Sequence, residues 1–217
     1  MPLIEFVGVS HSYGDRRVLE DVTLRLDEHR IGVIGANGSG KSTFARMLNG
    51  LVVPTAGTVR VARLDPDKQA RQLRRRVGFC FTDPDAQIVM PTVAEDIAFG
   101  LRRRGLSKDD IVRRVEAALA SYGLTDHRDH PAHLLSGGQK QMLALASVLV
   151  TDPDLLVMDE PTTLLDLANA RHISRVVARL HQQVILVTHH LALLEEFDRV
   201  LVFDEGRVVC DAAPGEA

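Results

Sequence analysis

The stretch Gly35-Ala36-Asn37-Gly38-Ser39-Gly40-Lys41-Ser42-Thr43 constrains this chain more than any other part of it. It matches G-x-x-x-x-G-K-[ST], and its flanks have the character that motif needs. The apolar run Ile31 to Ile34 predicts a strand before it, and Thr43 to Leu48 predicts a helix after it. Glycines at 35, 38 and 40 let successive backbone N–H groups curl inward as a nest, which Cβ atoms at those positions would obstruct. The start of the following helix adds unpaired N–H donors and the positive end of its dipole. Asn37, Gly38, Ser39, Gly40 and Thr43 complete the cradle, Lys41 would reach β- and γ-phosphates, and the Ser42 hydroxyl would hold Mg²⁺. Gly-rich strand-to-helix turns also occur without a ligand. With every fixed position matched in this context, the stretch predicts a nucleoside-triphosphate site.

A chain of 217 residues, 45% hydrophobic, can bury a full core as one domain with room for an inserted subdomain. A formal net charge of −3 gives no reason to expect nucleic acid as a partner. Met1-Pro2-Leu3-Ile4-Glu5 enters a strand pattern directly, with neither the basic nor the apolar region of a secretory signal, so none is expected. No uninterrupted apolar run approaches the roughly 18 residues of a membrane span. Any membrane association is therefore expected to run through a protein partner. Cys80 and Cys210 lie far apart in strand-like runs and read as buried thiols of a reducing compartment.

Along the chain, residues 3–9 and 18–27 alternate apolar and polar side chains, as half-buried antiparallel strands do. Between them stands Tyr13, which fits a base-stacking platform and a plain strand-end aromatic equally well. Pro54-Thr55-Ala56-Gly57 is turn chemistry, Thr58 to Val61 a short strand, and Ala70 to Arg76 a solvated helix face. Val77 to Phe81 reads as a buried strand. Thr82 to Gly100, with Pro84, Gln87 and Pro91, reads as a loop into a new subdomain. Ser107 to Asp110 has the form of a capping box, ahead of an apolar helical stripe at Ile111, Val115, Ala118, Leu119 and Tyr122. Arg102-Arg103-Arg104 before it fits a solvated surface better than an anionic partner. His127, His130 and His133 straddle Pro131 without a cysteine, a poor pattern for zinc.

Leu135-Ser136-Gly137-Gly138-Gln139 is the second informative stretch. Ser136 and Gln139 form a capping box for a helix with Met142, Leu145, Ala146 and Leu149 inward. Its opening glycines expose backbone N–H groups to anything approaching end-on, an anion site without a lysine of its own. A capped surface helix explains the same residues. Leu155 to Met158 is a buried parallel-type strand ending in Asp159 and Glu160; a strand buried on both faces tolerates acids only at its end, where the ligand crevice lies, and a plain loop start explains the same acid pair. Asp159 is placed to hold Mg²⁺ through water, and Glu160 to take a proton from water attacking a γ-phosphate. A helix with Ile173, Val176, Val177 and Leu180 inward follows. The core strand Val184 to Thr188 ends at His189, which is equally a γ-phosphate contact or a structural histidine. Val200 to Cys210 is a hairpin turning at Asp204-Glu205-Gly206.

In this order the motifs resemble those of an ATP-binding cassette (ABC) ATPase over almost the whole chain. Tyr13 matches the aromatic A-loop, Gly35 to Thr43 the Walker A, and Leu135 to Gln139 the LSGGQ signature. Leu155 to Glu160 matches the Walker B with its catalytic glutamate, Thr163-Leu164-Leu165-Asp166 the D-loop, and His189 the switch histidine. The resemblance implies an α/β fold: a P-loop NTPase, RecA-like core (1–81 and 151–217) with an antiparallel β edge and an inserted α-helical subdomain at about 82–150. It implies ATP and Mg²⁺ as cofactors, with Glu160, His189 and Lys41 catalytic. It further implies a head-to-tail pair of ATPase subunits, most simply identical, in which Ser136, Gly137, Gly138 and Gln139 of one chain meet ATP held by the other.

Thr82 to Val93 is similar to the Q-loop of energy-coupling-factor (ECF) vitamin importers, which carry a form like FQNPDDQ. Thr82 stands at the first Gln position, too short to reach Mg²⁺ as glutamine does, while Gln87 retains the second and is assigned to nucleotide and Mg²⁺. That threonine and Glu160 to Leu167 are similar to the biotin-importer ATPases, as is a chain ending near 217. A peripheral subunit on the cytoplasmic face of the membrane follows, with a transmembrane scaffold and a small-molecule-binding membrane subunit as partners and no nucleic acid. Two rivals remain. ABC proteins acting on DNA or ribosomes usually carry paired cassettes or long coiled coils, which this chain lacks. A non-hydrolysing regulatory cassette sits poorly with Glu160 and His189.

Overall fold

The structure, a computed structural model, describes residues 3–102, 104–163 and 165–216. In chain order the first half holds β1 (Ile4–Tyr13), β2 (Arg16–Leu26), β3 (Arg30–Gly35), α1 (Lys41–Met47), β4 (Ala56–Val61), α2 (Ala70–Leu73) and β5 (Val77–Cys80). The second half holds α3 (Val93–Phe99), α4 (Lys108–Ser121), α5 (Gly137–Leu149), β6 (Leu155–Asp159), α6 (Leu167–Ala178), β7 (Gln183–Val187), β8 (Arg199–Asp204) and β9 (Arg207–Ala212). The described residues divide into two compact units. One takes them from 1–79, 154–160 and 179–217, the other from 80–153 and 161–178.

The first unit is an α/β core. Among the described residues its strands form a three-stranded sheet, β2-β1-β4, and a six-stranded sheet ordered β5-β6-β7-β3-β8-β9. β6, β7, β3 and β8 run parallel, and β9 returns antiparallel. The apolar runs of β6 and β7 are buried at every position, as strands covered on both faces must be. Phe44 of α1 stands between the sheets, its ring 4.9 Å from Phe6 of β1 and 5.2 Å from Phe203 of β8.

β1 is longer than its alternation predicts because a bulge at Gly8 (φ +58°) shifts the register. Ile4 and Phe6 point inward before the bulge, Val9 and His11 after it. That change of parity places Tyr13 beyond His11 on one face, the two rings packed edge-on at 4.5 Å. Cys80 is buried, and the Cys80 thiol is pushed up to about 12 by that burial. Cys210, on edge strand β9, is only part-buried, contrary to expectation, because an edge strand is covered on fewer sides.

The second unit is helical around Val93, Ile97, Leu101, Val115, Leu119 and Leu143. The apolar stripe predicted for α4 packs here, with Val115, Ala118 and Leu119 buried and Ile111 and Tyr122 against them. At the start of α4, Asp110 N–H donates to Ser107 Oγ, and the Asp110 carboxylate accepts from Ser107 Oγ, from Arg113 and from the Ser107 backbone N–H. α3 is a correction to the loop expected at 82–100. Its signal was Thr92 and Glu95, which form a full capping box. Arg104, read as a solvated surface residue, is part-buried and donates to Thr151 O at 2.8 Å, whereas Arg103 lies outside the described residues. α6 groups with this unit, although the sequence boundaries place 161–178 with the core. Asn169 of α6 packs so closely on Gly138 that a Cβ there would stand 2.5 Å from its side chain.

One buried carboxylate organises the entry to this unit. Asp96 of α3 accepts from Val89 N–H (2.9 Å) and Met90 N–H (3.0 Å) with one oxygen, and from Ser147 Oγ (2.8 Å) with the other. Asp96→Ala leaves those part-buried donors without their carboxylate, and we expect it to cost about 2 kcal/mol by chemical unfolding. A loss below about 1 kcal/mol would show that the turn holds itself.

Candidate nucleotide-binding site

The carboxyl ends of β3, β6 and β7 meet at one edge of the parallel sheet, where a doubly wound fold opens its ligand crevice. β3 delivers the glycine loop, with φ of +143° at Gly35, +81° at Gly38 and +102° at Gly40. A Cβ on Gly35 would stand 2.0 Å from the Phe203 carbonyl oxygen, and one on Gly40 2.6 Å from that of Val18. Close backbone approach and left-handed φ therefore both demand glycine at 35 and 40. Ser39 is buried beneath the loop, its N–H donating to Ala36 O and its carbonyl accepting from Gly206 N–H. Lys41 curls over it, Nζ donating to Gly35 O at 2.8 Å and Ala36 O at 2.9 Å, so the ammonium is held on the loop's axis.

Ser42 Oγ donates to Asp159 Oδ1 at 2.9 Å, and Arg46 lies 3.8 Å from the other carboxylate oxygen. Asp159 is 2% exposed, and burial pushes its carboxyl above the usual range against the pull of Ser42 and Arg46. A hydroxyl and a carboxylate at this separation, beside a phosphate cradle, are the hard oxygen donors that Mg²⁺ takes along with substrate phosphates. Glu160 follows at φ +53° with its N–H on Val187 O, a conformation unusual outside glycine and concentrated at functional positions. Its Oε2 lies 2.7 Å from His189 Nδ1, and the His190 ring lies tilted against that of His189, the centroids 4.1 Å apart.

A pocket of about 350 Å³ gathers Tyr13, Asn37, Gly38, Gly40, Lys41, Ser42, Thr43 and Glu160. Tyr13 is 51% exposed, offering its ring face. Asp159 is tied to the pocket through Ser42, and His189 through Glu160. Arg16 also lines the pocket and was not singled out from sequence, where an arginine opening a strand reads as solvated. Only the pairing of Arg16 with Tyr13 across the hairpin reveals it.

The remaining candidates belong to the second unit. Gln87 is not a dangling side chain. Its Oε1 accepts from Phe81 N–H at 3.2 Å and its Nε2 donates to Ala144 O at 2.9 Å, pinning the segment after β5 to α5. Ser136 caps α5 in a full capping box with Gln139, whose amide also meets His127 Nε2 at 3.0 Å. His127 packs edge-on against His130. Asp166 caps α6 by accepting from Asn169 N–H at 2.8 Å, while Leu164 of the same motif lies outside the described residues.

The sequence pattern of the ABC transporter family matches residues 19–163. The chain belongs to that family. The biotin transport ATP-binding protein BioM of Rhizobium etli is 49% identical over 99% of this chain and 95% of its own. The energy-coupling factor transporter ATP-binding protein EcfA1 of Caldanaerobacter subterraneus subsp. tengcongensis is 41% identical over 97% of this chain and 79% of its own. Among solved structures, the ATP-binding cassette MJ0796, a dimer in a post-hydrolysis state bound to ADP and Pi, superposes with a TM-score of 0.86 at 25% identity. That match covers 97% of this chain and 98% of the other. The fold is that of an ABC ATPase, a P-loop core of parallel and antiparallel strands, and the chain binds ATP as members of this family do.

Proposed function

We propose that this ABC ATPase is the subunit that powers an ECF-type importer of biotin. In this reading it works as a pair of identical chains on the cytoplasmic face of the membrane. The observation that carries hydrolysis is the Glu160–His189 contact of 2.7 Å at the carboxyl edge of the sheet, with Glu160 lining the pocket that holds Lys41. Full-length similarity to a biotin transport protein and to an ECF transporter ATPase supports the transport assignment.

In this mechanism the adenine stacks on Tyr13, and loop N–H groups from Asn37 to Thr43 hold the phosphates, with Lys41 on the β–γ pair. Ser42 and Asp159 would hold Mg²⁺, which neutralises charge on the phosphates when bound. Gln87 orders the segment through which closure reaches the transmembrane scaffold, a placement its hydrogen bonds to Phe81 and Ala144 favour over a free ligand for Mg²⁺. A water's oxygen attacks the γ-phosphorus, its proton passes to the Glu160 carboxylate, and the β–γ bridging bond breaks to leave ADP and phosphate. His189 orients Glu160 and the water. Ser136, Gly137, Gly138 and Gln139 of the second chain close over the γ-phosphate.

The two signature glycines separate packing from function. A Cβ on Gly137 meets nothing within 4 Å, whereas one on Gly138 meets Asn169. Gly137→Ala should therefore keep the unfolding midpoint of the parent while lowering ATP-driven dimer formation about tenfold. Dimerisation at the parental level would remove Gly137 from the interface.

The assignment is tested by purifying the tagged chain from detergent-solubilised membranes. Recovery with a membrane scaffold and a small biotin-loaded binding subunit is the expected result. The same complex carrying another vitamin would cancel biotin alone. Recovery only with ribosomes or DNA-repair proteins would overturn the transport reading.

A further inference from the structure

We propose that Arg16 is a phosphate-binding residue of the ATP site, clasping the α- and β-phosphates from the hairpin side of the pocket. This rests on the proposed placement of the base on Tyr13 and of the γ-end beside Lys41 and Glu160. Arg16 opens β2 as the direct cross-strand partner of Tyr13, and it lines the same pocket. A Cβ built on Gly38 would lie 3.6 Å from Arg16 Nη2, which puts the guanidinium over the first half of the glycine loop. A nucleotide running from Tyr13 to Lys41 must pass under that group between its ribose and its β-phosphate.

Charge bookkeeping separates Arg16 from its neighbours. Arg17 pairs with Glu20 at 2.8 Å, and Arg207 meets the same carboxylate at 2.9 Å. Among the described residues Arg16 has no ion pair with an Asp or Glu, and Glu160, the one acid lining the pocket, is engaged by His189. The pocket wall thus offers two cations, Arg16 and Lys41, to a polyanion. They differ in kind. Lys41 is a buried point charge tied to two loop carbonyls, whereas Arg16 presents a planar fork of N–H donors that matches two phosphate oxygens at once.

The test is calorimetric titration of the full-length protein with ATP and with ADP, for the parent, Arg16→Ala, Arg16→Lys and Lys41→Ala. A contact at the α- and β-phosphates predicts that Arg16→Ala raises Kd for both nucleotides by the same factor, about tenfold. Arg16→Lys should recover part of that loss, and the factor should shrink as salt is raised. The thermal midpoint of unliganded Arg16→Ala should match the parent, so that a purely structural role is excluded. Unchanged Kd values for both nucleotides would overturn the proposal, and so would a loss confined to ATP, which would put the contact at the γ-phosphate. If instead Lys41→Ala binds as tightly as the parent, the placement of the triphosphate itself falls, and Arg16 with it.

Discussion

Glu160→Gln is expected to lower the ATP turnover of this protein by a factor of about 100 or more while leaving ATP affinity within about threefold of the parent. Glutamine keeps the volume and one hydrogen-bond acceptor, so the Val187-anchored backbone and the neighbouring Asp159 should not move. What disappears is the carboxylate proposed to take the proton from attacking water, a group that in this reading matters only as the transition state is approached. Substrate binding is therefore spared and chemistry is not. Because ATP stays bound and unhydrolysed, the variant should accumulate as a dimer on size-exclusion chromatography with ATP, whereas the parent should pass through that state only transiently. His189→Ala should share the direction with a smaller loss, since in the proposed mechanism the imidazole, 2.7 Å from Glu160, orients the base without being it. Turnover of Glu160→Gln within threefold of the parent would remove Glu160 from the proton transfer and shift attention to the imidazole.

Gly35→Ala should be the most damaging single methyl in the chain. The new Cβ would stand 2.0 Å from the Phe203 carbonyl oxygen and 2.9 Å from Ser39 Oγ, and Gly35 sits at φ +143°, a region L side chains rarely adopt. Neither neighbour can yield cheaply, because Phe203 belongs to the core strand β8 and Ser39 is buried under the loop. A loss of about 3 kcal/mol or more follows, seen as a thermal midpoint lower by about 10 °C. The loop must also deform, so ATP should no longer raise that midpoint. Gly14→Ala supplies the control. Its φ is +57° but nothing lies within 4 Å of its Cβ, so only the backbone term of about 1 kcal/mol remains, and the ATP-induced shift should persist. Equal midpoints for the two variants would show that β8 can retreat from the loop and that the close approach is not a constraint.

The chemistry of this protein was largely legible in its residues because phosphate binding is local. A nest of N–H groups, a helix start and a lysine come from consecutive positions, so Gly35 to Thr43 could be read from spacing alone. The same holds for the Ser136–Gln139 cap and for acids closing a continuously apolar strand at Asp159 and Glu160. Period-two and buried-strand patterns likewise announced the sheets, since burial on one face or two leaves a direct mark on composition. α3 was missed for a different reason. Pro84 and Pro91 dominate the local signal, and the Thr92–Glu95 box that starts the helix lies just behind them.

What the tertiary structure alone decided are relations between distant positions. The bulge at Gly8 sets which face of β1 carries Tyr13, and strand pairing then sets Arg16 beside it. Gln87, read as a ligand from its motif, has both ends of its amide taken by Phe81 and Ala144, a fact fixed by helix α5 more than fifty positions away. Glu160 and His189 are neighbours only because β6 and β7 lie adjacent and in register, Asp159 opposite Val187. A glycine's left-handed φ can be guessed from a motif. That Phe203 and Val18 crowd Gly35 and Gly40 cannot, because steric exclusion between segments is written in no single stretch of the chain.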